Sequence, residues 1–265
     1  MPFTTESGIS IFFETAGEGH PFVFVHANPC DHNMWLYQTA RFSEYFRTIA
    51  MDLRGYGRSG KPEVAYSFAD VADDILGVCR AEGIRRAILA GASIGSKLAF
   101  HLALERPEMF DALILVGGNA KRGRSYDSRI IGYRERGAAA YRREHLESLV
   151  APGFAETGHG RYLLDTLLDR TPALSGEAIA RLFEAFDGVD LFSRVAEIEL
   201  PVLIVNGEHD MSLPGARETA DRLPDAVHRI IPDAGHLCCL EAPAAFDAIV
   251  VEFLRSRGLM PESVI

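Results

Sequence analysis

The sequence predicts an α/β protein with a mostly parallel central sheet covered by helices on both faces. Three observations carry that expectation. Short apolar runs alternate with segments of helical periodicity through most of the 265 residues. One joint between a run and a helix holds a G-x-S-x-G pentapeptide, Gly91-Ala92-Ser93-Ile94-Gly95. The alternation lapses once, over 120–195, and then resumes. Strand alternating with helix implies parallel strands joined by crossovers, hence a sheet buried on both sides.

Taken in order, Ile9–Glu14 reads as a strand that ends at the Gly17/Gly19 turn. Phe22–His26 is a compact apolar run of the kind a central, doubly buried strand requires. Thr48–Asp52 is another, followed by the glycine-rich loop Arg54–Gly60. That loop lacks the G-x-x-x-x-G-K-[ST] pattern of a phosphate cradle, so it is expected only to turn the chain. Val71, Ile75 and Val78, spaced by four and three, predict a helix over about Phe68–Glu82. Ala87–Ala92 then reads as strand, Ile94–Glu105 as helix and Ala112–Val116 as strand, up to Gly117-Gly118. After the polar, helical stretch come Val202–Asn206 (strand), Pro214–Leu223 (helix), Val227–Ile231 (strand) and Pro243–Arg257 (helix). The expected division is a core of 1–119 and 196–265, with 120–195 as a helical cap, a lid over one edge.

A chain of this size can bury roughly 70–75% of its unfolded surface, so its core needs neither disulfide nor metal. The net charge of −10 argues against a nucleic-acid partner, which would call for a basic face. Cys30, Cys79, Cys238 and Cys239 show no CxxC zinc spacing and are expected to be buried small hydrophobes in a reducing compartment. Met1–Glu6 shows no charged or apolar leader pattern, and no run approaches the ~20 apolar residues that span a bilayer. The expected location is the cytoplasm, without a membrane partner.

Ser93 sits where the chain must turn sharply from strand to helix. Such a turn strains the serine backbone and exposes its hydroxyl, while glycines two residues to either side let strand and helix approach. A serine hydroxyl is a weak nucleophile and needs an oriented base. His236, in Asp233-Ala234-Gly235-His236, follows the last strand run; Asp210, in Gly207-Glu208-His209-Asp210, follows the preceding one. All three lie C-terminal to a parallel strand, at the sheet edge where sites form. Glu208 and His209 compete with Asp210 on proximity alone.

The motifs Asp52-Leu53-Arg54-Gly55-Tyr56-Gly57-Arg58-Ser59, His26-Ala27-Asn28-Pro29, the serine turn, Gly207–Asp210 and Gly235-His236 together resemble the α/β-hydrolase superfamily. The resemblance is greatest to small bacterial serine esterases, perhydrolases and 3-oxoadipate enol-lactonase-like enzymes. It implies an α/β-hydrolase fold with the helical cap inserted after the sixth strand, and a catalytic Ser93, Asp210 and His236 in the chain order that fold uses. It further implies an oxyanion hole from the backbone N–H groups of Ile94 and Asn28, and a loop-structuring role for His26. No cofactor or metal is needed by such chemistry. The expected function is hydrolysis of a carboxylic ester or lactone of a small substrate through an acyl-enzyme. Enol-lactone or vinylogous-diketone carbon–carbon hydrolysis by the same residues, or ligand binding with weak activity, are the alternatives.

Two expectations concern charge. Lys97, one turn into the serine helix, is expected to point outward into solvent. Residues 121–150 hold Lys121, Arg122, Arg124, Arg129, Arg134, Arg136, Arg142 and Arg143 against Asp127, Glu135, Glu144 and Glu147. That local excess is either solvated helix surface or the place where an arginine meets a substrate carboxylate.

Overall fold

The computed structural model describes residues 3–122, 125–169 and 174–261; Arg124 lies outside them. Among these residues eight strands form one sheet: β1 Phe3–Thr4, β2 Ile11–Ala16, β3 Pro21–Val25, β4 Arg47–Met51, β5 Ala87–Ala92, β6 Phe110–Val116, β7 Val202–Gly207 and β8 Ala226–Ile231. Their spatial order is β1-β2-β4-β3-β5-β6-β7-β8. β1 and β2 run antiparallel at one edge, and β4 to β8 are parallel with β3 among them. The serine strand β5 lies near the centre, between β3 and β6. The first sequence-read strand is displaced by two residues toward Ala16, and the two-residue β1 has no legible pattern at all.

Strand alternation explains why the central runs are apolar throughout. Phe22, Phe24, Ile88, Ala90, Leu203 and Val205 face one core layer. Val23, Val25, Leu89, Val202 and Ile204 face the other. Each face needs its own cover. α1 (Leu36–Phe42) and α9 (Pro243–Ser256) cover the first, where Phe42, Phe246 and Val250 pack. α2 (Phe68–Ala81) and α3 (Ile94–Glu105) cover the second through Val71, Ile75, Val78, Leu98 and Leu102. Fully burying one such side chain contributes about 1.5–3 kcal/mol. Ser67 starts α2 with a reciprocal Ser67–Asp70 capping box.

The Arg54–Gly60 loop folds around carboxylates of its own chain. Arg54 forks onto buried Asp74 at 2.5 and 2.7 Å, and Asp52 accepts the Arg58 N–H at 2.8 Å. Gly57 (φ 46°) passes so close to the Asp52 carboxylate that a Cβ would collide with it. The loop is thus held by carboxylates of its own chain.

Between β6 and β7 the described residues form no strand. They contribute α4 (Asp127–His145), α5 (Gly158–Asp169) and α6 (Gly176–Phe186). α4 is broken at Gly137 (φ 75°, ψ 164°), and α6 starts against the break, Gly176 fitting beside Tyr133 and Ala138. α6 joins the α2/α3 core layer through Ile179, Leu182 and Phe183, whereas α5 joins the opposite layer through Leu163, Leu164 and Leu167. The helical insertion therefore sits astride the carboxyl edge of the sheet. α7 (Leu213–Arg222) and the short α8 (Cys238–Glu241) complete the chain. No helix among the described residues is long and apolar enough to cross a membrane.

Candidate active site

Ser93 occupies a sharp turn between β5 and α3, with φ 53° and ψ −106°. This is a costly left-handed conformation for a residue with a Cβ, of order 1–3 kcal/mol. Close packing maintains it. A Cβ on Gly91 would collide with the Gly95 backbone, and one on Gly95 with the carbonyls of Val25 and His26. Ser96 Oγ donates to Gly91 O at 2.7 Å and closes the turn from the helix side.

His236 and Asp210 arrive from the ends of β8 and β7. His209 N donates to Ala234 O and Glu208 N to Ile231 O, each at 2.9 Å, so the two loops are stitched together. His236 Nδ1 is 2.8 Å from Asp210 Oδ1, both side chains buried. Asp210 also accepts from Ser212 N (2.7 Å), Ser212 Oγ (2.8 Å) and Asn206 Nδ2 (2.7 Å). Burial pushes this carboxyl up, but the His236 charge and hydrogen bond, with the Ser212 and Asn206 donors, outweigh it and hold it below the usual carboxylate range. Asp210 is therefore an acceptor only, which places the proton on His236 Nδ1 and leaves Nε2 as the basic nitrogen. Neither competitor takes this place: Glu208 turns to Asp233 N, and His209 is exposed. Gly117 (φ 59°) follows β6 and abuts the pair, since a Cβ there would stand 2.5 Å from His236 Cε1. Ser93 and His236 line one cavity without a hydrogen bond between them in this structure.

The loop after β3 supplies the other wall. His26, fully buried, bonds Ala27 O through Nδ1 (2.9 Å) and receives Leu53 N at Nε2 (3.0 Å). Burial lowers its pKa despite the Asp52 charge, so it is a neutral strut with both nitrogens engaged. The Asn28 side chain is held by Tyr56 OH at 2.8 Å and contacts Tyr133 OH from α4 at 3.3 Å.

His32 anchors the far end of that loop, with Nδ1 2.7 Å from Asp52 Oδ1. Burial alone would lower the His32 pKa, but the hydrogen bond and charge of Asp52, with Asp31 and Glu14, raise it. Burial likewise pushes Asp52 up, and His32, His26 and the Arg58 N–H bring it below its ordinary value. The His32 contribution to stability is complete below about pH 6.5 and is lost as pH rises through its raised pKa. The Asp52 contribution is present above about pH 4 and is lost as pH falls through its lowered pKa. His32→Asn is expected to destabilise the fold more at about pH 5.5 than at about pH 8.5. Urea midpoints at the two pH values measure this; equal losses would contradict it.

Asp31, His32 and Asp52 bring metal-ligand atom types together, as do the exposed Glu208, His209 and Asp233. In the first group His32 Nδ1 is engaged with Asp52 Oδ1, and Asp31 Oδ1 accepts from Asn33 N and Nδ2.

The cavity measures about 620 Å³ and is bounded by the serine turn, the Asn28 loop, His236 and α4. Lys97, Lys121, Arg129 and Arg142 line it, with no aspartate or glutamate among the described lining residues. Lys97 corrects the sequence expectation. It is buried, not solvated: Nζ donates to Lys121 O (3.0 Å) and Val189 O (3.2 Å), the two ends of the helical insertion, and burial lowers its pKa. The other insertion arginines divide. Arg134 pairs with Glu177 and Glu184, and Arg136 with Glu144, whereas Arg129 and Arg142 reach the cavity.

Sequence reasoning missed Glu241. Its buried carboxylate accepts Gly235 N (2.9 and 3.0 Å) and Ala151 N (2.8 Å), tying the His236 loop to the segment after α4. The five-residue spacing from His236 was the available signal. Glu241→Gln sets an amide N–H₂ against at least one of these donors, the Gly235 N–H in either orientation, and pushes the His236 loop away. Because a displacement of about 1 Å near the reacting atoms can cost ~100-fold, kcat per fluorophosphonate-titrated site is expected to fall about 10–100-fold. A lowered melting temperature with unchanged kcat per site would limit Glu241 to a structural role.

The serine turn, the histidine–aspartate pair at the carboxyl ends of parallel strands, and the sheet order together define a hydrolase architecture. A profile of the alpha/beta hydrolase fold matches residues 20–243, and the chain belongs to that family. It is similar to a putative carbamate hydrolase, RutD, of Caulobacter sp. (strain K31), at 29% identity over 84% of this chain and 86% of that protein. The enol-lactonase of Burkholderia xenovorans LB400 superposes with a TM-score of 0.90 at 26% identity, over 96% of this chain and all of that one. A thermophilic esterase of Thermogutta terrifontis, solved with malate bound, gives 0.89 at 25% identity over 96% and 98%. The chain is thus an enzyme of the hydrolase class, and two of these relatives, the enol-lactonase and the esterase, are named for ester-type bonds.

Proposed function

We propose that the protein hydrolyses a carboxylic ester or lactone of a small, carboxylate-bearing substrate through an acyl-enzyme on Ser93. The observation that carries this reading is the strained Ser93 turn opening on the same cavity as a histidine whose Nδ1 is bonded to a charged aspartate. His236 Nε2 takes the Ser93 proton as the hydroxyl attacks the carbonyl carbon. Negative charge then builds on the carbonyl oxygen. Ile94 is the first residue of α3, where a helix leaves its N–H groups without intrahelical partners, so its N–H can receive that charge. The Asn28 N–H is the second donor by resemblance to related enzymes. His236 next protonates the leaving oxygen, then activates water to release the acid, while Asp210 holds the tautomer and stabilises the imidazolium.

Residues 120–195 act as the cap over this reaction, and 1–119 with 196–265 as the core that holds Ser93, Asp210 and His236. The described residues lining the cavity include four cations and no aspartate or glutamate, which favours an acidic substrate, as does the malate bound to the Thermogutta esterase. The four buried free cysteines suit a reducing compartment, and we place the protein in the cytoplasm.

A panel of p-nitrophenyl esters, lactones and half-esters of dicarboxylic acids tests the proposal, with the Ser93→Ala protein as blank. Turnover that depends on Ser93, and fluorophosphonate labelling of Ser93 alone, are expected. Absence of turnover across the panel, or labelling of another serine, would sink it.

A further inference from the structure

We infer that Arg129 is the residue that binds the anionic group of the substrate, a carboxylate distal to the bond being cleaved. This rests on the ester-hydrolase reading and adds to it which side chain reads charge. Of the four cations lining the cavity, three are engaged elsewhere. Lys121 Nζ pairs with Glu218 at 2.5 Å. Lys97 Nζ is spent on two backbone carbonyls. Arg142 is buried, with the Asp31 charge acting on it. The Arg129 guanidinium makes no hydrogen bond or ion pair among the described residues; it lies 5.9 Å from the Tyr126 ring centroid and 5.6 Å from that of Phe183.

That environment suits a recognition arginine. The aromatic contacts orient the planar group and reduce the rotamer entropy lost on binding, while its N–H edges keep their donors. A planar carboxylate matches two of those donors at once. The neighbouring arginines do otherwise. Arg134 and Arg136 of α4 are satisfied by surface acids of their own chain, whereas Arg129 stays on the cavity wall. No carboxylate stands among the described lining residues to compete for it. Ser125 and Ser128, beside Arg129 on the same wall, offer further hydroxyl donors.

The test compares the p-nitrophenyl half-ester of glutaric acid with p-nitrophenyl valerate, a neutral ester of the same length. Arg129→Met is expected to lower the ratio of kcat/KM for the half-ester to that for valerate about 10–100-fold, the loss of one charge-assisted contact. Arg129→Lys should restore part of it, and Arg134→Met should change neither substrate. Glutarate binding to the Ser93→Ala protein, measured by calorimetry, reads the same subsite without turnover and should weaken in the Ser93→Ala/Arg129→Met double variant. Equal effects on both esters, or unchanged glutarate affinity, overturn the assignment. If valerate is still cleaved in a Ser93-dependent way, that failure leaves the hydrolase reading intact. Loss of all Ser93-dependent turnover in the parent protein would instead defeat the hydrolase reading, with the calorimetry still deciding Arg129.

Discussion

Ser93→Ala is expected to lower kcat about 10⁴–10⁶-fold without unfolding the protein. Members of such a constellation act as a unit, so removing the nucleophile makes the base and its orienter useless. What remains is the oxyanion site and substrate binding, which alone give a residual acceleration over water of about 10³–10⁴. The fold should survive because the turn is held by Gly91, Gly95 and Ser96, not by the Ser93 hydroxyl. Steady-state kinetics with circular dichroism and a thermal melt check both halves. Turnover within tenfold of the parent, in a protein shown free of wild-type contamination, would remove Ser93 from the mechanism.

Asp210→Asn is expected to cost about 10⁴-fold in kcat, with a much smaller change in KM. The reason is orientation more than charge alone. In the parent, Asp210 accepts from His236 Nδ1, Ser212 N, Ser212 Oγ and Asn206 Nδ2, a pocket of donors suited to a carboxylate. An asparagine must aim its amide N–H₂ at one of these groups. If it faces His236, the imidazole keeps its proton on Nε2 and cannot accept one from Ser93. If it takes the Oδ2 place it faces the Asn206 N–H₂, two donors collide and the pair is displaced. Slow fluorophosphonate labelling should accompany the loss of kcat, because acylation needs the same base. Labelling at the parental rate would place the catalytic acid elsewhere.

Much of the sheet was legible because its signals are local. The runs at Phe22, Thr48, Ala87, Ala112 and Val202 are strands because a doubly buried strand needs apolar residues at nearly every position, whatever packs on it. Ser93, Asp210 and His236 could be nominated for a related reason. Each follows directly on a strand end, and parallel strands bring their carboxyl ends to one edge however many residues separate them. The β1 strand was not legible, since two residues carry no period. The register of β2 was blurred because its exposed edge tolerates polar residues.

The sequence by itself determined the alternation of elements, the strained serine turn and the chemistry of the residues at the strand ends, all properties of a few adjacent side chains. Only the tertiary structure decided how charge is distributed around them. Lys97 looked like a surface residue, yet both ends of the helical insertion fold over it and supply its acceptors. Glu241 acquires its partners from Gly235 and from Ala151, ninety residues upstream. Arg129 is distinguished from its neighbours only by which acids they find across the fold. A charged side chain's state depends on desolvation and on the partners brought within a few ångströms by distant parts of the chain, and no local pattern encodes that.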